Sequence, residues 1–326
     1  MGGRTGDPGA APGDRIPEAH LTYALEREPT RTPQHHPMTP MTRDLVGVDA
    51  VAAHLDDPPL RIVDVRWYLN RPGDGRRAFE AGHIPGALYL DIDGDLAAPP
   101  AGADGGRHPL PDPGAFERRL AAAGIGDEDF VVAYDDAGGW VASRLWWMLD
   151  DLGHRDVAVL DGGIGAWTAA GRPLTTAVRV AAPASLHLRG RWTRTIERAE
   201  LRRRLGSVVL IDARAGARYR GETEPIDPVP GHIPTARSAP TDGNLTPDGH
   251  FCDPDALHAR FRELGAAGDA DVATYCGSGV SATHNALAMR LAGLRDPILY
   301  AGSWSDWSSA GEPAATGAEP GEAPGP

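Results

Sequence analysis

The strongest constraint on the fold is an internal repeat that occupies most of the chain. The blocks of the first copy, in order, are RIVDVR (61–66), GHIPGA (82–87), FVVAYDD (130–136), ASRLWWMLDDLG (142–153) and DGGIGAW (161–167). The blocks of the second copy are VVLIDAR (208–214), GHIPTA (231–236), VATYCG (272–277), ATHNALAMRLAGL (282–294) and AGSWSDW (301–307). Five blocks that recur in one order, roughly 140–150 residues apart, predict two related domains.

The apolar segments of each copy indicate the fold class. They are short continuous runs rather than alternating ones, which is typical of strands in a parallel sheet covered on both faces. Each copy reads as strand, loop, strand, helix, strand and helix. The sequence therefore predicts an α/β fold with two tandem domains, each a parallel sheet flanked by helices. In such sheets, binding sites form at the carboxyl ends of the strands.

Composition sets the predicted boundaries. Residues 1–40 are rich in Gly, Pro, Arg and His without apolar periodicity, and they are expected to be a disordered extension. The N-terminal domain is predicted over residues 41–171, a linker over 172–192 and the C-terminal domain over 193–309. Residues 310–326 are expected to form a second disordered tail.

Charge and cysteine content exclude several classes of protein. The net charge of −13 disfavours a nucleic-acid partner, because phosphate binding requires a basic surface. The sequence contains no apolar run long enough to predict a membrane span. Its 2 cysteines exclude a disulfide scaffold and favour a reducing compartment, so a cytoplasmic location is expected.

Cys276 is the residue with the clearest chemical signal. It follows the apolar run Val272–Tyr275 and precedes a loop with two glycines, Gly277 and Gly279, that opens onto a predicted helix. Backbone N–H groups of such a loop and of the helix N-terminus favour a thiolate. We therefore predict that Cys276 is a nucleophile, whereas Cys252 lies in a stretch without such a loop and is expected to be a bystander.

These motifs together resemble the rhodanese family of sulfurtransferases. The resemblance rests on GHIPGA, the DAR segment, the CGSGV loop, the terminal block with its tryptophan and the tandem layout, over about residues 42–310. It implies that the C-terminal domain carries the catalytic cysteine and that the N-terminal domain has lost it. Asp135 stands where the repeat would place the first cysteine, in agreement with that implication.

The loop after Cys276 is informative about the sulfur donor. Family members that prefer thiosulfate tend to carry basic residues there, and members that prefer 3-mercaptopyruvate tend to read CGSGVT. This chain reads CGSGVS, so it is similar to the second type, with Ser281 keeping the hydroxyl. The resemblance assigns Gly277, Gly279, Val280 and Ser281 to the loop that surrounds the transferred sulfur.

Two arginines are candidates for binding the donor carboxylate. Arg214, in the DAR segment at the end of a predicted strand, occupies the place of the family's carboxylate-binding arginine, and a structural salt bridge is the alternative role. Arg218 is the second candidate. Some members of the mercaptopyruvate type carry another arginine after the Glu-Pro of this loop, and here that position is Ile226.

Two residues of the N-terminal domain are expected near the site. The LDID and HPLP segments match a family region whose aspartate and histidine have been proposed to form a relay with the loop serine. On this sequence the relay corresponds to Asp93, His108 and Ser278. Such a relay would move a proton to the departing enolate of pyruvate, and an interdomain hydrogen-bond network is the alternative.

Other histidines receive structural interpretations. His83 and His232 recur at equivalent places in the two GHIP segments, so a turn-stabilising role is expected for both. His284 is expected on the surface of the helix after the loop. No group of residues has the spacing of a metal site, and neither a metal nor a cofactor is predicted.

The predicted activity is sulfur transfer from 3-mercaptopyruvate or thiosulfate, through a Cys276 persulfide, to cyanide, a small thiol or a protein thiol such as thioredoxin. Thiosulfate:cyanide sulfurtransferase activity is the nearest alternative. A non-catalytic rhodanese-like binding module is an alternative of another class. A cysteine phosphatase is disfavoured, because Ala282 stands where the phosphate-binding arginine is required.

Overall fold

The computed structural model describes residues 41–100, 102 and 105–325, so the extension predicted over residues 1–40 lies outside the described residues. The N-terminal domain contains a five-stranded parallel sheet with the spatial order β1-β5-β4-β2-β3. Its strands are β1 (Asp44–Val46), β2 (Leu60–Asp64), β3 (Leu88–Tyr89), β4 (Phe130–Tyr134) and β5 (Val157–Leu160). Its helices are α1 (Val48–Ala53), α2 (Asp74–Ala81), α3 (Ile92–Asp95), α4 (Pro113–Ala122), α5 (Ala142–Asp151) and α6 (Gly163–Ala169).

The C-terminal domain repeats this arrangement around a four-stranded parallel sheet with the order β7-β6-β8-β9. Its strands are β6 (Val209–Asp212), β7 (Arg237–Ser238), β8 (Val272–Tyr275) and β9 (Ile298–Leu299). Its helices are α7 (Arg198–Arg204), α8 (Gly216–Tyr219), α9 (Pro254–Glu263), α10 (Ala282–Leu291) and α11 (Ser303–Ser309), with a 3-10 helix at Thr241–Asn244. The predicted α/β class with two tandem parallel-sheet domains is confirmed.

Local sequence signals explain why equivalent elements begin at equivalent residues. In α4, the side chain of Asp112 accepts a hydrogen bond from the backbone N–H of Ala115, and proline follows as the first helical residue. In α9, Asp253 accepts from Ala256 and is likewise followed by proline. An acidic N-cap satisfies a free N–H group, and proline loses nothing at the first helical position, so both helices begin at an Asp-Pro pair.

The two domains share one apolar core. Helices α5 and α10 pack against each other, and a continuous buried cluster includes Leu145 and Met148 of α5 with Leu287 and Met289 of α10. Separate clusters fill the outer side of each sheet. Because the loops before α5 and α10 follow the ends of β4 and β8, this packing brings each loop close to the other domain.

The prediction that residues 310–326 form a disordered tail is wrong for the part of this segment that the structure describes. The backbone N–H of Ala315 donates to the carbonyl of His232 and the N–H of His232 donates back to Ala315, which forms an antiparallel bridge. The N–H of Thr235 donates to the carbonyl of Pro320. Glycine and proline content predicted disorder, whereas the segment gains its order from backbone pairing with the second GHIP loop. No helix in the described part of the chain is long and apolar enough to cross a membrane.

Candidate active site

Cys276 follows the last residue of β8 and is nearly buried, with 2% of its surface exposed. Its backbone N–H donates to Ser303 Oγ over 3.1 Å, and its carbonyl accepts from the N–H of Trp304 over 3.0 Å. Ser303 begins α11 with a φ of 55°, a left-handed conformation that is rare for a non-glycine residue. The first two residues of α11 therefore fix the position of the Cys276 backbone through hydrogen bonds.

The loop after Cys276 directs a backbone donor at the sulfur. The N–H of Gly279 lies 3.1 Å from Cys276 Sγ. Gly279 has a φ of 78°, and a Cβ at this position would lie 2.3 Å from the carbonyl oxygen of Ala301. Only glycine fits this position, so the residue predicted from the sequence is required for the loop to close around the thiol.

The N-terminal domain shows what such a loop holds when the cysteine is absent. Asp135 takes the equivalent place after β4, and its carboxylate accepts four backbone N–H groups over 2.8–2.9 Å, from the loop and the start of α5. Burial raises the pKa of Asp135, and the four donors oppose this rise only in part. Both side-chain oxygens act as acceptors, so the loop of this fold directs several backbone N–H groups at an acceptor placed within it.

The structure brings Asp93, His108 and Ser278 together across the domain interface. His108 Nδ1 lies 2.7 Å from Ser278 Oγ, and His108 Nε2 lies 3.1 Å from Asp93 Oδ1. The indole N–H of Trp67 donates to the other oxygen of Asp93 over 3.0 Å, and the Trp67 ring meets the His108 ring edge to face. Trp67 thus orients two members of the group, and its role was not predicted.

The electrostatics of His108 define the direction of these hydrogen bonds. Burial lowers the pKa of His108 to about 4, although the charge of Asp93 acts in the opposite direction, so the ring is neutral near neutral pH. A carboxylate only accepts hydrogen bonds, hence Nε2 carries the hydrogen and Nδ1 accepts from the Ser278 hydroxyl. The arrangement orients a neutral base towards a serine in the Cys276 loop.

Arg214 is engaged by its own domain. Its guanidinium forms a bidentate ion pair with Asp212 and donates a hydrogen bond to the carbonyl of Gly231. Its Nη1 lies 3.4 Å from a carboxylate oxygen of Glu224. Arg66 of the first domain pairs with Asp64 in the same way and donates to the carbonyl of Gly82. Because this arrangement recurs in a domain without the thiol, it is part of the fold, and it favours the structural interpretation of Arg214.

Arg218 and a second arginine, Arg107, lie beside the loop. A Cβ on Gly277 would lie 3.1 Å from Arg107 Nη2 and 3.4 Å from Arg218 Nη1. Both guanidinium groups pair with Asp227, and Arg218 also pairs with Glu224. Arg107 comes from the N-terminal domain, directly before His108. The loop itself contains no basic residue, but two arginines from elsewhere in the sequence lie beside it.

A cavity of about 220 Å³ gives access to the thiol. The predicted loop residues Gly277, Ser278, Val280 and Ser281 line it together with Cys276. The other lining residues are Trp67, Leu69, Arg107, Trp140, Ala213, Arg214, Ala215, Arg218 and Thr241. The lining combines apolar side chains with three arginines, which suits a small anion that carries sulfur.

Three further histidines make structural contacts, and the prediction about one of them is wrong. His83 and His232 stack on aromatic rings at centroid distances of 3.8 and 3.7 Å, and each bonds through Nδ1 to a backbone carbonyl, in agreement with their turn-stabilising interpretation. His284 is completely buried instead of exposed, because α10 faces the other domain. In the part of the chain that the structure describes, no group of His, Cys, Asp and Glu side chains converges as in a metal site.

Comparison with known proteins agrees with this geometry. The sequence profile of the rhodanese-like domain matches residues 47–170 and 197–310. The chain is 45% identical over 278 residues to a probable 3-mercaptopyruvate sulfurtransferase of Pseudomonas aeruginosa, covering 84% of this chain and 98% of the relative. It is 39% identical over 259 residues to a putative thiosulfate sulfurtransferase of Mycobacterium tuberculosis, covering 77% and 88%.

A solved structure supports the same relationship. The 3-mercaptopyruvate sulfurtransferase from Leishmania major superimposes with a TM-score of 0.74 at 29% identity, covering 85% of this chain and 76% of that one. The named relatives are all sulfurtransferases, but their names divide between two sulfur donors. The choice of donor therefore has to be argued from the site of this chain.

Proposed function

The chain belongs to the rhodanese family and is a sulfurtransferase, and from this premise we propose that it transfers sulfur from 3-mercaptopyruvate through a persulfide on Cys276. The observation that carries the proposal is the contact of Ser278 with His108 and of His108 with Asp93 beside the thiol loop. This donor needs a proton relay, whereas thiosulfate does not.

The first half-reaction moves one sulfur atom from the donor to Cys276. The Cys276 thiolate attacks the thiol sulfur of 3-mercaptopyruvate, an S–S bond forms and the bond between sulfur and C3 breaks. The electron pair of that bond leaves as the enolate of pyruvate. The proton lost by the donor thiol passes to the enolate, so the products are pyruvate and the enzyme persulfide.

The relay supplies a path for that proton. Ser278 lies in the cavity, its hydroxyl donates to His108 Nδ1, and Asp93 stabilises the imidazolium that forms when His108 takes a proton. Because burial lowers the pKa of His108 to about 4, that imidazolium is a stronger acid than an ordinary one and returns the proton readily to the enolate. Asp93, His108 and Ser278 are therefore proposed as catalytic residues together with Cys276.

Arg218 and Arg107 are proposed to bind the donor carboxylate. Both reach the cavity beside Gly277, and no hydrogen bond joins Arg218 Nη1 to the residues that the structure describes. The buried Arg107 Nε also lacks a partner there. The open Nη1 donor favours Arg218 over Arg214, which reverses the order expected from the sequence. Arg107 adds a second cation to the cavity, whereas Ile226 carries no charge.

In the second half-reaction an acceptor attacks the outer sulfur of the persulfide and releases the Cys276 thiolate. The loop of Gly277, Gly279, Val280 and Ser281 is proposed to surround the outer sulfur, as the equivalent loop surrounds the Asp135 carboxylate. Thioredoxin, a small thiol or cyanide is proposed as the acceptor. The 2 cysteines, both free thiols, favour a cytoplasmic location for this chemistry.

Thiosulfate is a second candidate donor, because two arginines flank the loop. A dianion gains more than a monoanion from Arg107 and Arg218, and sulfite leaves without a proton. Asp227 opposes this gain, since it is buried between the two guanidinium groups and neutralises part of their charge. The balance favours the monoanionic donor.

The test is a comparison of kcat/KM for 3-mercaptopyruvate and thiosulfate with one common thiol acceptor. Wild type is expected to prefer 3-mercaptopyruvate, and Cys276→Ser is expected to be inactive with both donors while it remains folded. A preference for thiosulfate of tenfold or more would overturn the proposed donor, and activity in Cys276→Ser would overturn the proposed nucleophile.

A further inference from the structure

Arg144 is a completely buried cation at the domain interface. It projects from α5 of the N-terminal domain, and Nη1 donates to the carbonyl of Gly279 over 2.8 Å. Nη2 donates to the carbonyls of Leu96 and His108, and Nε has no partner among the described residues. The guanidinium therefore contacts both the loop of Cys276 and the backbone of the relay.

No carboxylate in the described part of the chain pairs with Arg144. This is unusual, because arginine is almost never completely buried unless it is paired, and an unpaired buried charge is costly. Burial lowers the pKa of Arg144 to about 10, and the charge that acts in the opposite direction is that of Cys276. The guanidinium remains protonated near neutral pH, so its positive charge requires a counter-charge.

The other charged groups around the thiol are already paired. Arg214 pairs with Asp212, and Asp227 pairs with both Arg107 and Arg218. The remaining pairs are those of Arg214 and Arg218 with Glu224 and of His108 with Asp93. Of these cations, Arg144 alone lacks a carboxylate among the described residues, and the anion formed at Cys276 is the group that is left to balance it.

The internal repeat supplies a control for this interpretation. His284 occupies the equivalent place in α10, and its Nε2 donates to the carbonyl of Gly138 over 3.1 Å. Gly138 follows Asp135 by three residues, as Gly279 follows Cys276. Asn244 donates to His284 Nδ1, and burial lowers the pKa of His284 to about 4, so this ring is neutral.

Arg144 and His284 therefore make the same contact, from a helix of one domain to the loop of the other, but only Arg144 is charged. A neutral imidazole is sufficient to join α10 to the loop of the first domain. Joining α5 to the loop of the second domain thus does not require a charge either, yet a cation stands there at the cost of its desolvation. The asymmetry coincides with the position of the thiol.

We propose that Arg144 is the counter-charge of the sulfur anion in the active site, supplied by the domain that lacks the cysteine. It acts through the Gly279 peptide, whose carbonyl accepts a hydrogen bond from Arg144 and whose N–H donates to Cys276 Sγ. The positive charge of the guanidinium also attracts the sulfur anion directly. Arg144 is a positioning residue, and it stabilises the thiolate before sulfur transfer and the persulfide after it. The proposal rests on the proposed function only in taking Cys276 as the nucleophile.

The experiment measures the rate of Cys276 alkylation by iodoacetamide as a function of pH, with the labelled peptide identified by mass spectrometry. Arg144→His reproduces the neutral contact found at His284. We expect the midpoint of its pH profile to rise by about one unit, the lower end of the effect of removing an adjacent opposite charge. Arg144→Lys keeps the charge and should return the midpoint towards that of wild type.

Two further variants keep the test decisive. Arg144→Gln, which retains N–H donors without charge, replaces Arg144→His if the latter does not fold. His284→Gln is the matched control at the equivalent contact with Gly138, and it should leave the midpoint of the alkylation profile unchanged. The proposal is overturned if a folded neutral variant of Arg144 alkylates with the wild-type profile, or if His284→Gln shifts the profile equally. Alkylation requires no sulfur donor, so an error in the proposed donor would not alter these results.

Discussion

Replacement of His108 by alanine should separate the two sulfur donors. The substitution removes the group that accepts from Ser278 and pairs with Asp93. With 3-mercaptopyruvate, the enolate then leaves without a positioned acid. With thiosulfate, sulfite leaves as a stable anion and needs no proton. The variant should therefore lose activity with the first donor and keep most of its activity with the second.

The size of the loss follows from the role of the relay. A positioned general acid–base group contributes roughly 10²–10⁴-fold to a rate, which corresponds to about 3–5 kcal/mol of transition-state free energy. We expect a loss of this size in kcat/KM for 3-mercaptopyruvate. For thiosulfate we expect a change of less than about tenfold, since the thiol, Gly279 and the arginines remain in place.

The assay measures both donors on the same preparation with one thiol acceptor. His108→Gln is the matched control, because an amide can hydrogen-bond to Ser278 but cannot transfer a proton, and it should resemble His108→Ala. The pH profile adds an independent measurement. Because the pKa of His108 is about 4, activity with 3-mercaptopyruvate should fall as pH decreases through about 4, where Nδ1 becomes protonated. Equal losses with both donors, or full activity in His108→Gln, would refute the relay.

Four further results are expected. Intact-protein mass spectrometry after donor treatment should find one added sulfur on Cys276 and none on Cys252, and sulfur on Cys252 alone would contradict the assignment. Arg218→Ala should raise KM for 3-mercaptopyruvate by roughly tenfold or more, since a charge-assisted contact is lost, and an unchanged KM would count against the carboxylate site. Asp227→Asn should shift the ratio of the two kcat/KM values towards thiosulfate, because it removes an anion between two arginines, and a ratio that does not move would contradict this. The free energy of unfolding should decrease as pH falls from about 6.5 to about 4, because His284 is protonated in the unfolded chain but stays neutral when it is buried. His284→Gln should weaken this pH dependence.

The fold could be predicted from the sequence because the same order of strands and helices is encoded in both copies of the repeat. The recurring blocks contain equivalent elements of the two domains, such as the strands β4 and β8 and the helices α5 and α10. Cys276 could be proposed as the nucleophile because its signal is local, with strand, glycine loop and helix following one another along the chain. Asp93, His108 and Ser278 could be named only through the family resemblance, since they are distant from one another in sequence.

The charges around the thiol could not be predicted, because they depend on the packing of two domains. Arg107 lies beside Gly277 although 170 residues separate its neighbour His108 from Ser278, and no local pattern reports such proximity. Arg144 stands in an apolar helical segment, where a single arginine predicts an exposed edge rather than a buried cation. His284 was placed on the surface for the same reason, since the sequence does not show that α10 is covered by α5.

The position of these charges gives the domain without the cysteine a part in the proposed active site. The C-terminal domain by itself holds the thiol, its glycine loop and Arg218. The N-terminal domain supplies the base His108, its partner Asp93 and the cations Arg107 and Arg144. These side chains reach the loop only because α5 and α10 share one buried core, so weakening of that core should reduce activity before it unfolds either domain. In the proposed mechanism, the first repeat, which has Asp135 in place of a cysteine, completes the active site of the second.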